Sequence, residues 1–527
     1  MPATEMTVRV QALDHKSNAP SASNTSSASL SSQVDASVSE LVAYAETAAA
    51  GGTNYEGFER ELIERIFALA RLLIGLFLQL CEEKTRPSRR LGRGRSRYRR
   101  QPPKGRWLGT YFGKVRYWRS YMHQTNGRGG GYYPVDDALG LTADGFSFGL
   151  LGRAVALATK MSFAAAATTI ASFLGWTPST KTIERATLGL GRHTGSWFEQ
   201  VAPPEDDGDV LIVQLDSKAT PTATEEELTK RRGKRNANPH PESARHRGRS
   251  QRKSRGSKKR RKKGDKSKNG KATTLVTMYT LRTTTDDEGN PKLIGPVNRW
   301  TYGSYAPKRH AVAIARREAD KRGFTVASGK TVQVLTDGDE DLERYVKELF
   351  PGAIHTPDVI HVVEYIWKAG ACLYKEGSDR LARWVAKRKE ELYGGRVWEM
   401  LEAMNDAGGR IRNKKRRERY GKYLDYIIKR ADRMNYAELA ARDLELSTGM
   451  IEGAVRYVVS QRFDEGGMRW IKERAEALLQ LRCIQINGNW EQFVAFAHQR
   501  TLRQKAGRSP RLAQNQPEPL PQLGLAA

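Results

Sequence analysis

A chain of 527 residues exceeds what one ordinary hydrophobic core organises and predicts two to four folding units. Its 89 Lys and Arg against 59 Asp and Glu give a net charge of +30, a balance that points to polyanionic partners such as DNA or RNA before acidic small molecules. Cys81, Cys372 and Cys483 are too far apart for a disulfide framework or a metal-ligand motif. The longest apolar run, Leu72 to Leu80, follows Arg71 and stops at Glu82 and Glu83, so neither secretion nor a membrane span is expected.

Residues 1–50 are rich in Ser, Ala and Thr with few large apolar side chains, which predicts a disordered tail. Residues 51–104 read as an amphipathic helix and a basic linker. From Phe58 to Glu82, Leu62, Ile63, Ile66, Phe67, Leu69, Leu72, Leu73 and Leu76 recur at helical spacing. Such a helix needs a partner in a core or a dimer; its polar face lacks the Lys and Arg of a membrane-surface helix. Between Arg86 and Arg106, Gly and Pro argue against a regular element, and the arginines suit phosphate contacts.

Residues 105–200 form the expected N-terminal DNA-binding region, mainly helical. Alternation around Tyr111, Val115, Tyr117 and Tyr121 predicts a small hairpin. Ser162 to Thr187 then has the form of a helix-turn-helix: two helical runs separated by a Gly-containing turn, with Ser179 or Thr180 as cap. Lys181, Arg185 and Thr187 are expected to face a DNA groove. Helical hairpins that never touch DNA share the same pattern.

The chemistry is expected in an α/β core assigned to residues 205–371 and 446–503. Val210-Leu211-Ile212-Val213-Gln214-Leu215 reads as a buried strand ending at Asp216, and Thr331-Val332-Gln333-Val334-Leu335-Thr336 as another ending at Asp337. Between them TTLVTMYTLRTTT and KLIGPVNRWTYGS flank the turn Asp286 to Pro291, and a helix follows over 309–323. Strand, strand, strand, helix, strand is the order of the ribonuclease-H fold, a mixed sheet flanked by helices, in which the first and fourth strands are neighbours. Two aspartates so placed suit a pair of Mg²⁺ ions about 3.5–4 Å apart, as phosphoryl transfer requires, with Mn²⁺ able to substitute. A third acid is expected on a packed helix, and Glu452 stands early in the helical run Ser447 to Arg462, with Ser447 and Thr448 as caps and Ile451, Val455, Val458 and Val459 as its apolar face.

The words LIVQLDSKAT, VQVLTDGDEDL, PDVIHVVEYIW, GMIEGAVRYVVSQR and GMRW resemble DDE transposases of bacterial insertion sequences, ISKra-type, within the Mutator-like group with its RNase H-like core. The resemblance spans about residues 105–500. It implies cleavage at transposon ends and transfer of the freed 3′ hydroxyl into target DNA, with Asp216, Asp337 and Glu452 as metal-binding catalytic residues. Asp358-Val359-Ile360-His361 matches that group's Asp-or-Cys, two residues, His element, which implies a catalytic role for His361; Asp358 reads as a helix N-cap, and Asp339 and Glu340 as solvated. Residues 372–445, with Trp384, Trp398, Tyr420, Tyr423 and Tyr426 among Arg and Lys, match that group's all-helical insertion, which implies contact with DNA flanks. Arg469-Trp470 is expected to begin a helix of Ala, Glu and Leu, and Asn487-Gly488-Asn489-Trp490 to turn into another. Implied partners are double-stranded DNA, as transposon ends and target, and further copies of the chain in a homodimer or larger synaptic oligomer. The implied location is the bacterial cytoplasm, at the nucleoid. A noncatalytic DNA-binding regulator is the alternative.

Arg456, Arg469 and Trp470 are candidate DNA contacts beside the catalytic helix. A basic insertion, 228–271, interrupts the first two core strands: Lys230 to Lys271 hold 20 Lys and Arg against Glu242 and Asp265, a net +18, among them Arg231, Arg232, Lys259, Arg260, Arg261, Lys262 and Lys263. Residues 504–527 read as a disordered tail. Deleting the basic insertion is expected to weaken duplex DNA binding by about tenfold or more at low salt, a gap that closes as salt rises; equal affinities in a fluorescence titration would refute its role in binding.

Overall fold

The computed structural model describes residues 26–93, 96–126, 130–229, 270–465 and 469–506, and the chain divides into two compact units. One comprises Met1–Leu151, Ile170–Thr177 and Arg500–Ala527; the other comprises Gly152–Thr169 and Pro178–Gln499. The architecture is mixed α/β, and among the described residues no helix is long and apolar enough to cross a membrane.

The first unit opens with a helical hairpin, α1 (Ser27–Ala50) and α2 (Tyr55–Thr85). The expected disorder of residues 1–50 is therefore corrected for 27–50. Alanine, the best helix former, fills α1, and Leu30, Val34, Leu41, Tyr44 and Ala48 fall at three- and four-residue spacing, a seam narrow enough to escape a composition count. Tyr44 stacks on Phe58, ring centroids 5.5 Å apart, beneath the Arg65 guanidinium. Residues 1–25 lie outside the described residues.

The supposed basic linker is also ordered. Strands β1 (Arg90–Arg93), β2 (Ser96–Thr110) and β3 (Gly113–Gln124) form an antiparallel sheet. Pro102 and Pro103 fall in the register shift between Gln101 and Lys104, where the ladder asks for no N–H. Asp136, buried in the short α3 (Pro134–Ala138), accepts hydrogen bonds from Tyr117 Oη at 2.6 Å, Arg106 Nη1 at 2.8 Å and Arg119 Nη1. Arg106 of this stretch and Arg119 of β3 thus compensate an internal charge.

Helices α4 (Phe148–Lys160), α5 (Phe163–Leu174), α6 (Thr180–Gly191) and α7 (Thr194–Gln200) follow. The second unit's sheet contains β4 (Val210–Pro221), β5 (Gly270–Thr285), β6 (Pro291–Ser304), β7 (Val332–Thr336) and β8 (Ile354–Pro357) in the order β6-β5-β4-β7-β8. Its first three strands are antiparallel neighbours; β4 and β7, and β7 and β8, run parallel. Helix α8 (Lys308–Lys321) links β6 to β7, and α9 (Glu340–Leu349) links β7 to β8. One sheet face, through Val210, Ile212, Tyr279, Leu281 and Leu335, shares a core with α10 (Val359–Leu373), α11 (Asp379–Tyr393), α12 (Val397–Gly409), α13 (Lys414–Ile428) and α14 (Tyr436–Ala441). The chain closes with α15 (Gly449–Ala454), a π-helical segment Val455–Asp464, α16 (Lys472–Ile486) and α17 (Trp490–Ala506). Helix α16 therefore begins at Lys472 and not at Arg469, because Trp470 is held by a β-bridge to Thr222. The tail beyond Ala506 lies outside the described residues.

His355 on β8 sits between Thr336 Oγ1, 3.0 Å from Nε2, and Arg433 Nη1, 2.9 Å from Nδ1. The guanidinium can only donate, so Nδ1 accepts and Nε2–H donates to the threonine. Burial, then the charges of Arg433 and Arg430, drive the imidazole pKa down to about 3. Below about pH 6.5 the unfolded chain therefore takes up a proton that the folded chain refuses, and stability falls as pH drops toward 3. His355→Gln removes this loss: in denaturant titrations the variant's stability relative to wild type should rise steadily between pH 7 and pH 4. A pH-independent difference would mean that His355 takes up its proton alike in both states.

Candidate active site

The parallel ladder of β4 and β7 ends at Leu215 beside Thr336, and the next residues are Asp216 and Asp337. Adjacent strands lie about 4.8 Å apart, so one register position brings together two carboxylates that are 121 residues apart in sequence. The expectation that the first strand ends at Asp216 is corrected. Strand β4 continues to Pro221 on its other edge, with Asp216 opposite Leu275 of β5, and only the pairing with β7 stops. Burial first, and then the charge of Asp337, push the Asp216 pKa up to about 6; Ser217 N–H and His361 oppose the rise, and Glu452 adds to it. Asp337 is also raised, chiefly by burial, against the pull of the Asp339 N–H and His361.

Two buried glutamines that the sequence reading passed over place the third acid. Gln214 on β4 donates from Nε2 to Tyr279 Oη at 3.2 Å and Ser447 O at 3.3 Å, and accepts from Ile451 N at 2.9 Å. Gln333 on β7 donates to Thr356 Oγ1 at 2.9 Å and Glu445 O at 2.7 Å, and accepts from Glu445 N at 3.0 Å. Together they pin the segment 445–451 to the sheet, and α15 starts there with Glu452 exposed in its first turn. The apolar face foreseen for this run is buried at Ile451, Val455, Val458 and Val459, although the winding turns π-helical from Val455.

Asp358 is fully buried and does more than cap α10. It accepts from Ile360 N at 3.0 Å, Thr448 Oγ1 at 2.8 Å, Thr448 N at 3.4 Å and His361 Nδ1 at 2.7 Å. Thr448 thus spends its hydroxyl on Asp358 and not on its own helix, which corrects the foreseen Ser/Thr cap. Burial would raise the Asp358 carboxyl, but these donors hold it below its usual value. His361 is raised by the hydrogen bond to Asp358, against burial. One ligand atom from each of Asp358, His361 and Glu452 lies within 4.8 Å of the others. The lone-pair positions of Asp358 are taken by its four donors, so it orients His361 and has none left to offer a cation.

The turn after Asp337 is braced by the helical insertion. Gly338 adopts φ +92°, and a Cβ there would strike the Tyr426 hydroxyl. Tyr426 donates to Asp337 O at 3.0 Å and stacks on Tyr365, and the buried Arg430 donates to Gly338 O at 2.8 Å. Asp339, expected in solvent, instead caps α9 and pairs with Lys308, while Glu340 is exposed and pairs with Lys429. Of the insertion's aromatics, Tyr420 is buried, Tyr423 meets Tyr365 edge-on, and Trp384 lies against Gly370 and Tyr374. Trp398 alone of the five is largely exposed.

The candidate DNA contacts divide similarly. Lys181 and Arg185 are exposed on α6, but Thr187 is buried with Ile183 and Leu190 on the face that meets α16, which corrects its expected exposure. Arg456 is exposed one turn beyond Glu452, and Arg469 is half-buried. The Trp470 indole packs against Phe163 and Phe463 under the Arg462 guanidinium, so packing takes up its ring. Arg231, Arg232, Lys259, Arg260, Arg261, Lys262 and Lys263 lie outside the described residues. Comparison of the chain with protein-family models and with curated proteins returns no match.

Gln214→Leu keeps the volume but orphans the Ile451 N–H and Ser447 carbonyl. It should cost about 1–3 kcal/mol in denaturant unfolding. No loss would mean that the clamp does not hold the α15 segment.

Proposed function

We propose that the second unit is the catalytic body of a DDE-type DNA transposase with an RNase H-like core, which cuts at transposon ends and joins the freed 3′ hydroxyl to target DNA. The observation that carries this reading is the pairing of Asp216 and Asp337 at the end of one parallel ladder, with Glu452 close enough to raise the Asp216 pKa. The strand order and the helix between the third and fourth strands agree with it.

The donor set fits Mg²⁺. Asp216, Asp337 and Glu452 offer hard oxygens, and among the described residues none of the three is ion-paired with Lys or Arg. Burial, and then the charge of Asp337, push the Asp216 carboxyl up to about 6, a cost that bound cations would relieve. When bound, two Mg²⁺ would supply charge neutralisation at the scissile phosphate and acidify a water nucleophile. The chain's own part is placement: β4 and β7 fix two carboxylates, the Gln214 and Gln333 clamps set the third, and the Asp358–His361 pair presents a protonatable imidazole beside them, suited to donate to a phosphate oxygen. In this reading the net charge of +30 serves duplex DNA, and two chains, one per transposon end, are the smallest synaptic assembly.

Cleavage of an end-containing duplex with Mg²⁺ should depend on all three acids. Asp216→Ala, Asp337→Ala and Glu452→Ala are each expected to slow it by about a hundredfold or more, the equivalent of several kcal/mol of lost charge stabilisation. Chelation should abolish it, and Mn²⁺ should restore it. Variants that cut as fast as wild type would refute the site, and a wild type that binds ends without cutting would favour a DNA-binding regulator.

A further inference from the structure

Helix α2 packs on α1 through Phe58 and on the small sheet through one apolar stripe, and a second apolar stripe is uncovered among the described residues. Ile74, Leu78 and Cys81 meet Leu108, Val115 and Tyr117 of the small sheet; Glu82 Oε1 accepts Ser120 N at 3.0 Å; Arg71 donates to Phe112 O at 2.8 Å. These contacts fix the helix's rotation. A second stripe, Ile63, Ile66, Leu73, Phe77 and Leu80, is then left 43–55% exposed. With Glu59, Ala70 and Lys84 it follows an unbroken alternation of four- and three-residue steps, the spacing by which one helix presents a seam to another.

We propose that this seam pairs antiparallel with α2 of a second copy of the chain, about a two-fold axis between Arg71 and Leu72. The sequence is self-complementary in that register alone. Ala70 faces Leu73, Ile66 faces Phe77, Ile63 faces Leu80, and each pair occurs twice by symmetry. Small meets large at the centre, and at both ends Glu59 faces Lys84. Both of these are exposed, and neither is ion-paired within its own chain among the described residues. The five large side chains expose on the order of 500 Å², enough to mark an interface on a single chain. With Glu59, Ala70 and Lys84 the seam approaches the roughly 800 Å² per partner of a standard interface. An anionic membrane is a poor occupant, because Glu56, Glu59, Glu61 and Glu64 crowd the seam's first turns. This pairing stands on α2 alone and is independent of the catalytic reading.

Sedimentation equilibrium of the full, nuclease-treated chain across the micromolar range tests it. Wild type should be a dimer, and Phe77→Glu a monomer with unchanged far-ultraviolet circular dichroism. Glu59→Lys and Lys84→Glu each turn two attractive pairs into repulsive ones and should weaken the dimer about tenfold. The double variant Glu59→Lys/Lys84→Glu restores opposite charges and should recover wild-type affinity. A monomeric wild type, a dimer indifferent to Phe77→Glu, or a double variant no tighter than the singles would overturn the proposal, the last by showing that another register or another partner covers the seam.

Discussion

The parallel pairing of β4 with β7 is the constraint on which the candidate site rests. It stops after five residue pairs, and the first unpaired positions are the two aspartates. Because the period of a strand is two, a slip of one residue would turn Asp216 away from the site and drive Leu215 out of the core. The register is held from both sides. Antiparallel β5 pairs with β4 along its whole length, and the strictly buried runs of β4 and β7 leave no polar face on which to slip. The two interior amides, Gln214 and Gln333, are both hydrogen-bonded to the segment that carries Glu452. The same ladder therefore sets all three acids, two by covalent attachment and one by clamp.

That arrangement stores electrostatic tension. Several buried charges of the second unit are compensated close by: Arg430 by Glu343, Arg322 by Glu318, Arg388 by Glu391, whereas Arg462 and Arg482 donate to backbone carbonyls. Where the β4–β7 ladder ends the pattern reverses, and like charges gather with, among the described residues, only backbone N–H groups and His361 to offset them. An acidic cluster left without a cationic partner costs stability, and such clusters are found at functional sites. The insertion helices share that cost, because Tyr426 and Arg430 hold the backbone of the Asp337–Gly338 turn against the repulsion.

Much of this was legible in the sequence. Continuous β-branched and apolar runs ending in Asp marked β4 and β7, and turn residues marked the β5–β6 hairpin, because burial and turn chemistry are local properties. What composition obscured were elements whose reason lies in a partner. Helix α1 reads as a Ser- and Ala-rich tail until α2 is laid beside it, and β2 reads as an Arg-rich linker until β3 pairs with it and Asp136 appears behind Arg106. The carboxylate pattern gave Asp216 and Asp337, whereas Gln214, Gln333 and Thr448 carried no local signal, since a buried amide or hydroxyl looks like any other until its partners are known. Asp358 was visible as a cap, but its role behind His361 depends on Thr448, 90 residues away.

The basic insertion falls within the connection at the loop end of the β4–β5 hairpin, which starts from Pro221 and Gly270, themselves paired. The strands are thus joined whatever lies between them, and loop-closure entropy rises only with the logarithm of length, by about 0.6 kcal/mol per doubling. Lengthening, shortening or recharging that stretch hardly taxes the core. Evolution can therefore vary this chain's polycation almost without penalty, while every residue from Val210 to Asp216 stays bound to its register.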